Sequence, residues 1–507
     1  MSHATGIAAV AIVSVLTVAI GTWGLRFSRT TSDFFVASRS VSPTLNASAI
    51  GGEYLSAASF LGVAGLVLAF GAEMLWYPVG WTAGYLVLLV MVAAPLRRSG
   101  AYTLPDFAEA RLGSRRVRSI TSMLVVGIGW LYLIPQFQGA GLTLRLATGL
   151  DARLGGLVVA LVVLVSVLSG GMRSVTFVQA FQYWLKLTAL LVPVVFLLIV
   201  WFGDGAPSPA DSVFDVAGQH GGWADPLAGG AGQSGHPLYT TYSIIVATFL
   251  GTMGLPHVVV RFYTNPDGRA ARRTTVAVLG LLGLFYVLPP VYGALGRVYA
   301  GDLVSSGRSD AVVLELPTRM LGGTAAELLG ALLIAGAFAA FLSTSSGLTV
   351  AVAGVVSQDV VSRWLPGVAA FRVAALAAVT IPYALAVLAD DVGVATAVGL
   401  AFAVAASTFC PLLVLGIWWR GLTDVGAMAG LLVGGMLSGA AVVRTFLSSG
   451  GESWASALLS QPAAWTVPAA FLTMVVVSRL TPHRRAPHVA TFMVRLHTPE
   501  SVGVDRG

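Results

Sequence analysis

The chain has a single cysteine, a single lysine and few charges of either sign. Asp, Glu, Lys and Arg together make up 10% of its 507 residues, against about 25% in a soluble domain. Hydrophobic residues supply 56% and the mean hydropathy is +0.84, so water is not the principal solvent. Cys410 lies in an apolar run. That excludes an intramolecular disulfide or a thiolate metal cluster and reads as a small core residue. Lys186 is followed by Leu187, so no phosphate-binding loop of the GxxxxGK[ST] type exists and ATP is not the direct energy source. None of the seven histidines precedes a glutamate, which removes the zinc-protease motif HExxH. The start, Met1-Ser2-His3-Ala4-Thr5-Gly6, lacks the positive n-region of a signal peptide, and Arg26 and Arg29 follow the first apolar stretch. This predicts an uncleaved first span with its N-terminus external.

What the chain has in abundance is apolar runs. About 20 apolar residues cross a bilayer, and this predicts thirteen spans, near 5–25, 46–70, 74–95, 118–148, 155–170, 176–202, 240–260, 274–299, 324–356, 368–389, 393–419, 424–445 and 463–480. They follow so closely that residues 1–480 read as one transmembrane domain. Only 203–239, predicted as an external loop, and 481–507, predicted as a cytoplasmic tail, are polar for long, and neither reads as a folded domain. Net charge is +7. In a soluble protein that would suggest nucleic acid as a partner; here the basic residues sit in short loops, so membrane orientation explains them and neither nucleic acid nor nucleotide is expected.

The positive-inside rule tests the span count, because one missed span would invert every later loop. With the N-terminus external, 22 of the 29 Lys and Arg fall in cytoplasmic segments and five in external ones, while Arg145 and Lys186 lie within spans. Cytoplasmic clusters include Arg97, Arg98, Arg111, Arg115, Arg116 and Arg118, then Arg261, Arg269, Arg272 and Arg273. The expected location is the cell inner membrane.

Spans 46–70 and 240–260 differ from their neighbours. The first has Gly51-Gly52 before Glu53; the second has Gly251, Gly254 and Pro256 near its end. Each opens a set of five spans, and because five is odd the second set is inverted relative to the first. Paired discontinuous helices at matching places of inverted repeats point to a central binding site in secondary transporters. The plainer reading is that glycine permits close helix packing.

Glu53 is the carboxylate placed deepest in a span, where an acid costs roughly 2.5 to 3.5 kcal/mol. It therefore needs a partner or a role, as a proton carrier, a cation ligand, an electrostatic lure or a structural acid beside a break. Ser343, Thr344, Ser345 and Ser346 form a hydroxyl cluster in span 324–356. Hydroxyls and freed carbonyls are hard ligands that suit an alkali cation, although such hydroxyls also bond carbonyls one turn back. Gln136 and Gln138, after Pro135, either line a polar cavity or bond between helices. His257 reads as structural or gating.

The run Ala49-Ile50-Gly51-Gly52-Glu53-Tyr54-Leu55-Ser56-Ala57-Ala58-Ser59-Phe60-Leu61-Gly62 resembles the first core helix of the sodium:solute symporter family, especially its cation/acetate (monocarboxylate) branch. GGMRSVTFVQAFQ from Gly170, GTMGLPHVVVRFYT from Gly251 and AAFLSTSSGLTVAVAGVVSQD from Ala339 agree in family order, and the likeness covers roughly residues 30 to 420. The resemblance implies an all-α LeuT-type 5+5 inverted-repeat core over about 46–419 with three peripheral spans. It implies a sodium ion between the first and eighth core helices, held by carbonyls of Gly52, Leu55 and Ala340 and hydroxyls of Ser343 and Thr344. Substrate would lie alongside, near Tyr54, Ser56, Ser59, Gln136 and Thr252. Some relatives carry an essential aspartate where Tyr54 aligns; here the acid, Glu53, is one position earlier and is assigned to coupling or gating rather than to the cation.

The function expected is symport that couples a sodium or other cation gradient to uptake of acetate or a related small organic anion, with sodium as coupling ion and no resident cofactor. A proton-coupled carrier and a sodium symporter of another solute, such as an amino acid, share the class. A transporter-like sensor is a second class, against which the tail after Leu480 is too short for a kinase. An intramembrane enzyme is a third, against which the metal and nucleotide motifs are missing.

Overall fold

The computed structural model describes residues 3–24, 37, 40–211, 222–227, 236–388, 393–447 and 453–502. Among these there is no strand, and twelve helices are long and apolar enough to cross a bilayer. The molecule is an all-α, multi-pass membrane protein. The difference from thirteen lies at one bend. Ala58–Arg98 runs for 41 residues, or about 60 Å at 1.5 Å per residue, twice the hydrocarbon thickness. It breaks at Gly71, whose φ is +82° and whose Cβ would lie 2.1 Å from the Trp223 carbonyl oxygen, so only glycine fits. The run therefore holds the end of span 46–70 and all of 74–95. Ala152–Gly203 divides in the same way at Gly171, φ +55°, into Ala152–Ser169 and Gly171–Gly203.

The core gathers around Gly323–Asp359, Val394–Trp418 and the segment Pro237–Thr264. Their apolar stretches are 72% to 89% buried, whereas His3–Gly24, Asp424–Leu447 and Ala463–Leu480 bury 33% to 39% of theirs and stand at the periphery.

Beyond the spans, the tail is more structured than its composition suggests. Helix Val489–His497 docks on the basic loop: Phe492 packs its ring 6.2 Å from that of Phe107, Arg495 Nε donates to the Arg98 carbonyl at 3.2 Å, and Arg98 Nε pairs with Glu500 at 3.2 Å. The tail thus lies on the face that carries the Arg97–Arg118 cluster. Residues 503–507, and 212–221 and 228–235 of the 203–239 loop, lie outside the described residues. The rest of that loop folds over the opposite end, where Trp223 Nε1 donates to the Val67 carbonyl at 3.0 Å and Trp76 Nε1 to that of Pro226 at 2.9 Å.

Candidate functional site

Two helices are interrupted side by side. Pro43–Tyr54 ends where Leu55 leaves helical geometry (φ −75°, ψ 84°), and the chain becomes helical again beyond Ser56. Pro237–Gly254 ends at Leu255 (φ −71°, ψ 118°) before Pro256–Val260, because proline has no N–H to continue the ladder. The first break is therefore not at Gly51-Gly52, as the sequence suggests. Those glycines stay helical and serve close packing: a Cβ on Gly52 would lie 2.1 Å from the Gln179 carbonyl oxygen. Gly251 and Gly254 do the same against Phe402 and Ala405, each at 2.4 Å. Packing and interruption are adjacent rather than alternative.

An interrupted helix strands backbone groups that lipid cannot satisfy, and here side chains from neighbouring helices answer them. Gln136 Oε1 accepts from Ala57 N–H at 3.1 Å, and Thr344 Oγ1 donates to the Glu53 carbonyl at 2.6 Å. Lys186, fully buried in Gly171–Gly203, directs its ammonium at three oxygens: the Gly52 carbonyl, the Leu55 carbonyl at 2.7 Å and Ser343 Oγ at 2.9 Å. Ser343 Oγ in turn donates to the Ala340 carbonyl at 3.1 Å. The five residues named for the cation are thus gathered at the break, around a lysine that in the sequence serves only to exclude a nucleotide loop. An intramembrane charge is a functional candidate by default, and that signal was available. The rest of the hydroxyl cluster is divided: Ser346 bonds back to the Leu342 carbonyl at 2.7 Å, and Ser345 Oγ has no partner among the described residues.

The Glu53 carboxylate pairs with the turn that follows the second interrupted helix. Its Oε2 accepts from Arg261 Nε at 2.5 Å. Arg261 also donates to Thr176 Oγ1 at 2.8 Å and to Gln179 Oε1. Arg261 reads from sequence as a loop residue of a cytoplasmic cluster, but it is 1% exposed; the 3-10 turn Arg261–Thr264 folds it inward beneath the break. Gly347 makes room for the acid, since a Cβ there would lie 2.0 Å from Glu53 Oε1. Around the break, two cationic side chains, Lys186 and Arg261, stand against one acid.

The residues named for substrate are all 0% to 2% exposed. They lie in an aromatic chamber. Tyr54 Oη and Thr252 Oγ1 share a hydrogen bond of 2.8 Å, Ser59 Oγ and Tyr286 Oη one of 2.9 Å, and Tyr132 Oη donates to Ser56 Oγ at 3.3 Å. The Tyr85 ring meets Tyr54 edge-on at 4.8 Å; Trp81 lies 5.6 Å from Phe402 and 5.8 Å from Tyr286; His257 lies 5.2 Å from Tyr132. Four of these polar atoms, Trp81 Nε1, Tyr85 Oη and both ring nitrogens of His257, are buried without a partner among the described residues. Sequence reasoning missed Trp81 and Tyr85, which have no motif and are marked only by polar tips on one face of an apolar span. Gln138 lies elsewhere, donating to the Ala386 carbonyl at 3.4 Å beside a cavity of about 270 Å³ that Arg145 and Arg153 also line.

The chain is similar to known proteins in sequence and in fold. The chain is 31% identical over 429 residues to the uncharacterized symporter YwcA of Bacillus subtilis (strain 168), covering 83% of this chain and 82% of that protein. Its fold is similar to that of a Na+-coupled sialic acid symporter in a substrate-bound outward-open state, with TM-score 0.69 and 13% identity over 94% of this chain and 98% of that one. It is also similar to Mhp1, a nucleobase-cation-symport-1 family transporter in a closed conformation with bromovinylhydantoin bound, with TM-score 0.56 and 14% identity over 91% and 98%. These are LeuT-fold transporters. A sequence model of the sodium:solute symporter family matches residues 34–434, a stretch that includes both interrupted helices and every residue of the chamber, and on that match the chain belongs to the sodium:solute symporter family.

Proposed function

We propose that the protein is a secondary active symporter of the inner membrane, with external N-terminus and cytoplasmic C-terminus, that couples a cation gradient to uptake of acetate or a related short-chain monocarboxylate. The observation that carries the solute class is the set of unpartnered donors in the chamber. A buried polar group without a partner costs about 1–3 kcal/mol, and Trp81 Nε1 can only donate. A carboxylate accepts at two oxygens and would satisfy several of these groups at once, while its short chain would lie against Phe402 and the tyrosine faces. The excess of cationic side chains at the break, Lys186 and Arg261 against Glu53, favours an anion over a neutral or cationic solute. Tyr54, Ser56, Ser59, Gln136 and Thr252 form the chamber wall in this reading, and Glu53 acts in gating through Arg261.

The test is uptake into proteoliposomes of labelled acetate, pyruvate, lactate and proline under separately imposed cation gradients. Accumulation of the monocarboxylates and not of proline is expected; the reverse result refutes the solute class. The family pattern supplies sodium as the coupling ion. A carrier driven by a different gradient, the proton gradient among them, is the second reading, and the position of Lys186 favours it.

A further inference from the structure

We infer that the Lys186 ammonium is a tethered occupant of the pocket that would otherwise take the sodium ion, and that this transporter binds no sodium there. The inference takes the symport reading as its setting.

Two of the three oxygens that Nζ meets are carbonyls and can only accept. The third, Ser343 Oγ, commits its proton to the Ala340 carbonyl at 3.1 Å and so also accepts. Three acceptors around one nitrogen call for three N–H groups, which the ammonium has. The remaining expected ligands are engaged as well: Thr344 Oγ1 donates to the Glu53 carbonyl at 2.6 Å, and the Ala340 carbonyl holds Ser343. A sodium ion would have to share these oxygens with a fixed charge. Two unit charges 4 Å apart repel by about 4 kcal/mol at an effective dielectric of 20, so the two cations exclude each other.

The residue type fits the role. Of the 29 Lys and Arg residues, 28 are arginine, and lysine occurs once, here. An ammonium is a compact point charge with three divergent donors, close in kind to an alkali ion, whereas a guanidinium is planar and presents a fork. Lys186 is 0% exposed, so its stem does not carry the charge out to water. Its ammonium instead joins Gly171–Gly203 to the interrupted helix and to Gly323–Asp359, as a bound ion would join them, without being able to leave.

The test is binding of radiolabelled sodium to the purified full-length protein, together with uptake in proteoliposomes in sodium and in choline media. Wild type is expected to show no saturable sodium binding, and Lys186→Ala, which frees three oxygens and leaves a cavity, is expected to acquire it. Saturable binding to wild type overturns the inference. So does a folded Lys186→Ala protein that gains no binding. If that variant does not fold, wild-type uptake decides: equal rates in the two media support the inference, and stimulation of about tenfold by sodium overturns it. Binding needs no solute, so a failure to transport any monocarboxylate counts against the solute class alone.

Discussion

Arg261 Nε donates to Glu53 Oε2 across 2.5 Å, and neither side chain is more than 2% exposed. The pair links the N-terminal half of the first interrupted helix, Pro43–Tyr54, to the turn that follows the second, Pro256–Val260. Removing one partner of a buried pair costs about 3–5 kcal/mol, because the other charge stays buried without compensation. Glu53→Ala should therefore lower stability by about that amount in detergent unfolding, and Glu53→Gln, which retains an acceptor for Arg261, by distinctly less. Comparing the two variants in counterflow and in gradient-driven uptake separates structure from coupling. Loss of net uptake with exchange retained in Glu53→Gln marks a coupling role; equal loss of both activities contradicts it.

Trp81→Phe and Tyr85→Phe each remove a buried donor that has no partner among the described residues. A group held for structure is missed when removed, while one held for substrate is missed only when substrate binds. Tyr85→Phe should be as stable as wild type or more so, and Trp81→Phe should lose only the cost of the volume that the indole vacates. Their half-saturating concentration for monocarboxylate should rise by about ten- to a hundredfold, as expected if a hydrogen bond to a charged group worth about 1.5–3 kcal/mol is lost. A thermal unfolding series beside uptake kinetics checks this. Destabilised variants with unchanged uptake would place these groups in the scaffold.

Orientation follows from the charge asymmetry of the loops. Ala224 is exposed on the loop that covers the end of the first core helix. In a protein lacking Cys410, which is buried, Ala224→Cys should react with an impermeant thiol reagent on intact cells. Labelling only after lysis would invert the proposed topology.

The tail should be held in a pH-dependent way. Burial raises the Glu500 carboxyl, but hydrogen bonds from Gly268 N–H at 2.9 Å and from Arg98 at 3.2 Å outweigh it and hold the group below its ordinary value. The docked tail is therefore favoured by the ionised form. Its contribution is present above the ordinary carboxylate range and is lost as pH falls through that range to the lowered value. Cleavage by an acid-tolerant protease after helix Val489–His497 should rise over that window, and Glu500→Gln at neutral pH should show the raised rate throughout. Cleavage that does not respond to either change would leave Glu500 without a role in docking. The effect is small, since a pair this exposed contributes about 0.2–1 kcal/mol.

Much of the architecture was legible in the sequence, because a bilayer leaves few solutions and apolar length sets the spans. The single bend at Gly71 and the split at Gly171 follow from lengths that one crossing cannot use. The position of the first interruption was less legible, since Gly51-Gly52 looks like a break and is a packing contact, while the break falls at Leu55-Ser56, which carries no breaker. Most of the residues that complete the site were illegible for a related reason. Lys186, Arg261, Trp81 and Tyr85 reach the break from other helices, and helical periodicity does not say which neighbour a face will meet. Lys186 alone announced itself, as a charge in the middle of an apolar span.

The central claim is that the buried aromatic chamber recognises a carboxylate by its charge and its acceptor oxygens. Equilibrium exchange of labelled acetate in proteoliposomes tests it most directly, with propionate and propionamide, which differ at the carboxyl end, as competitors. Inhibition by propionate and not by propionamide is the result the chamber predicts; equal inhibition by both, or by neither, would contradict it.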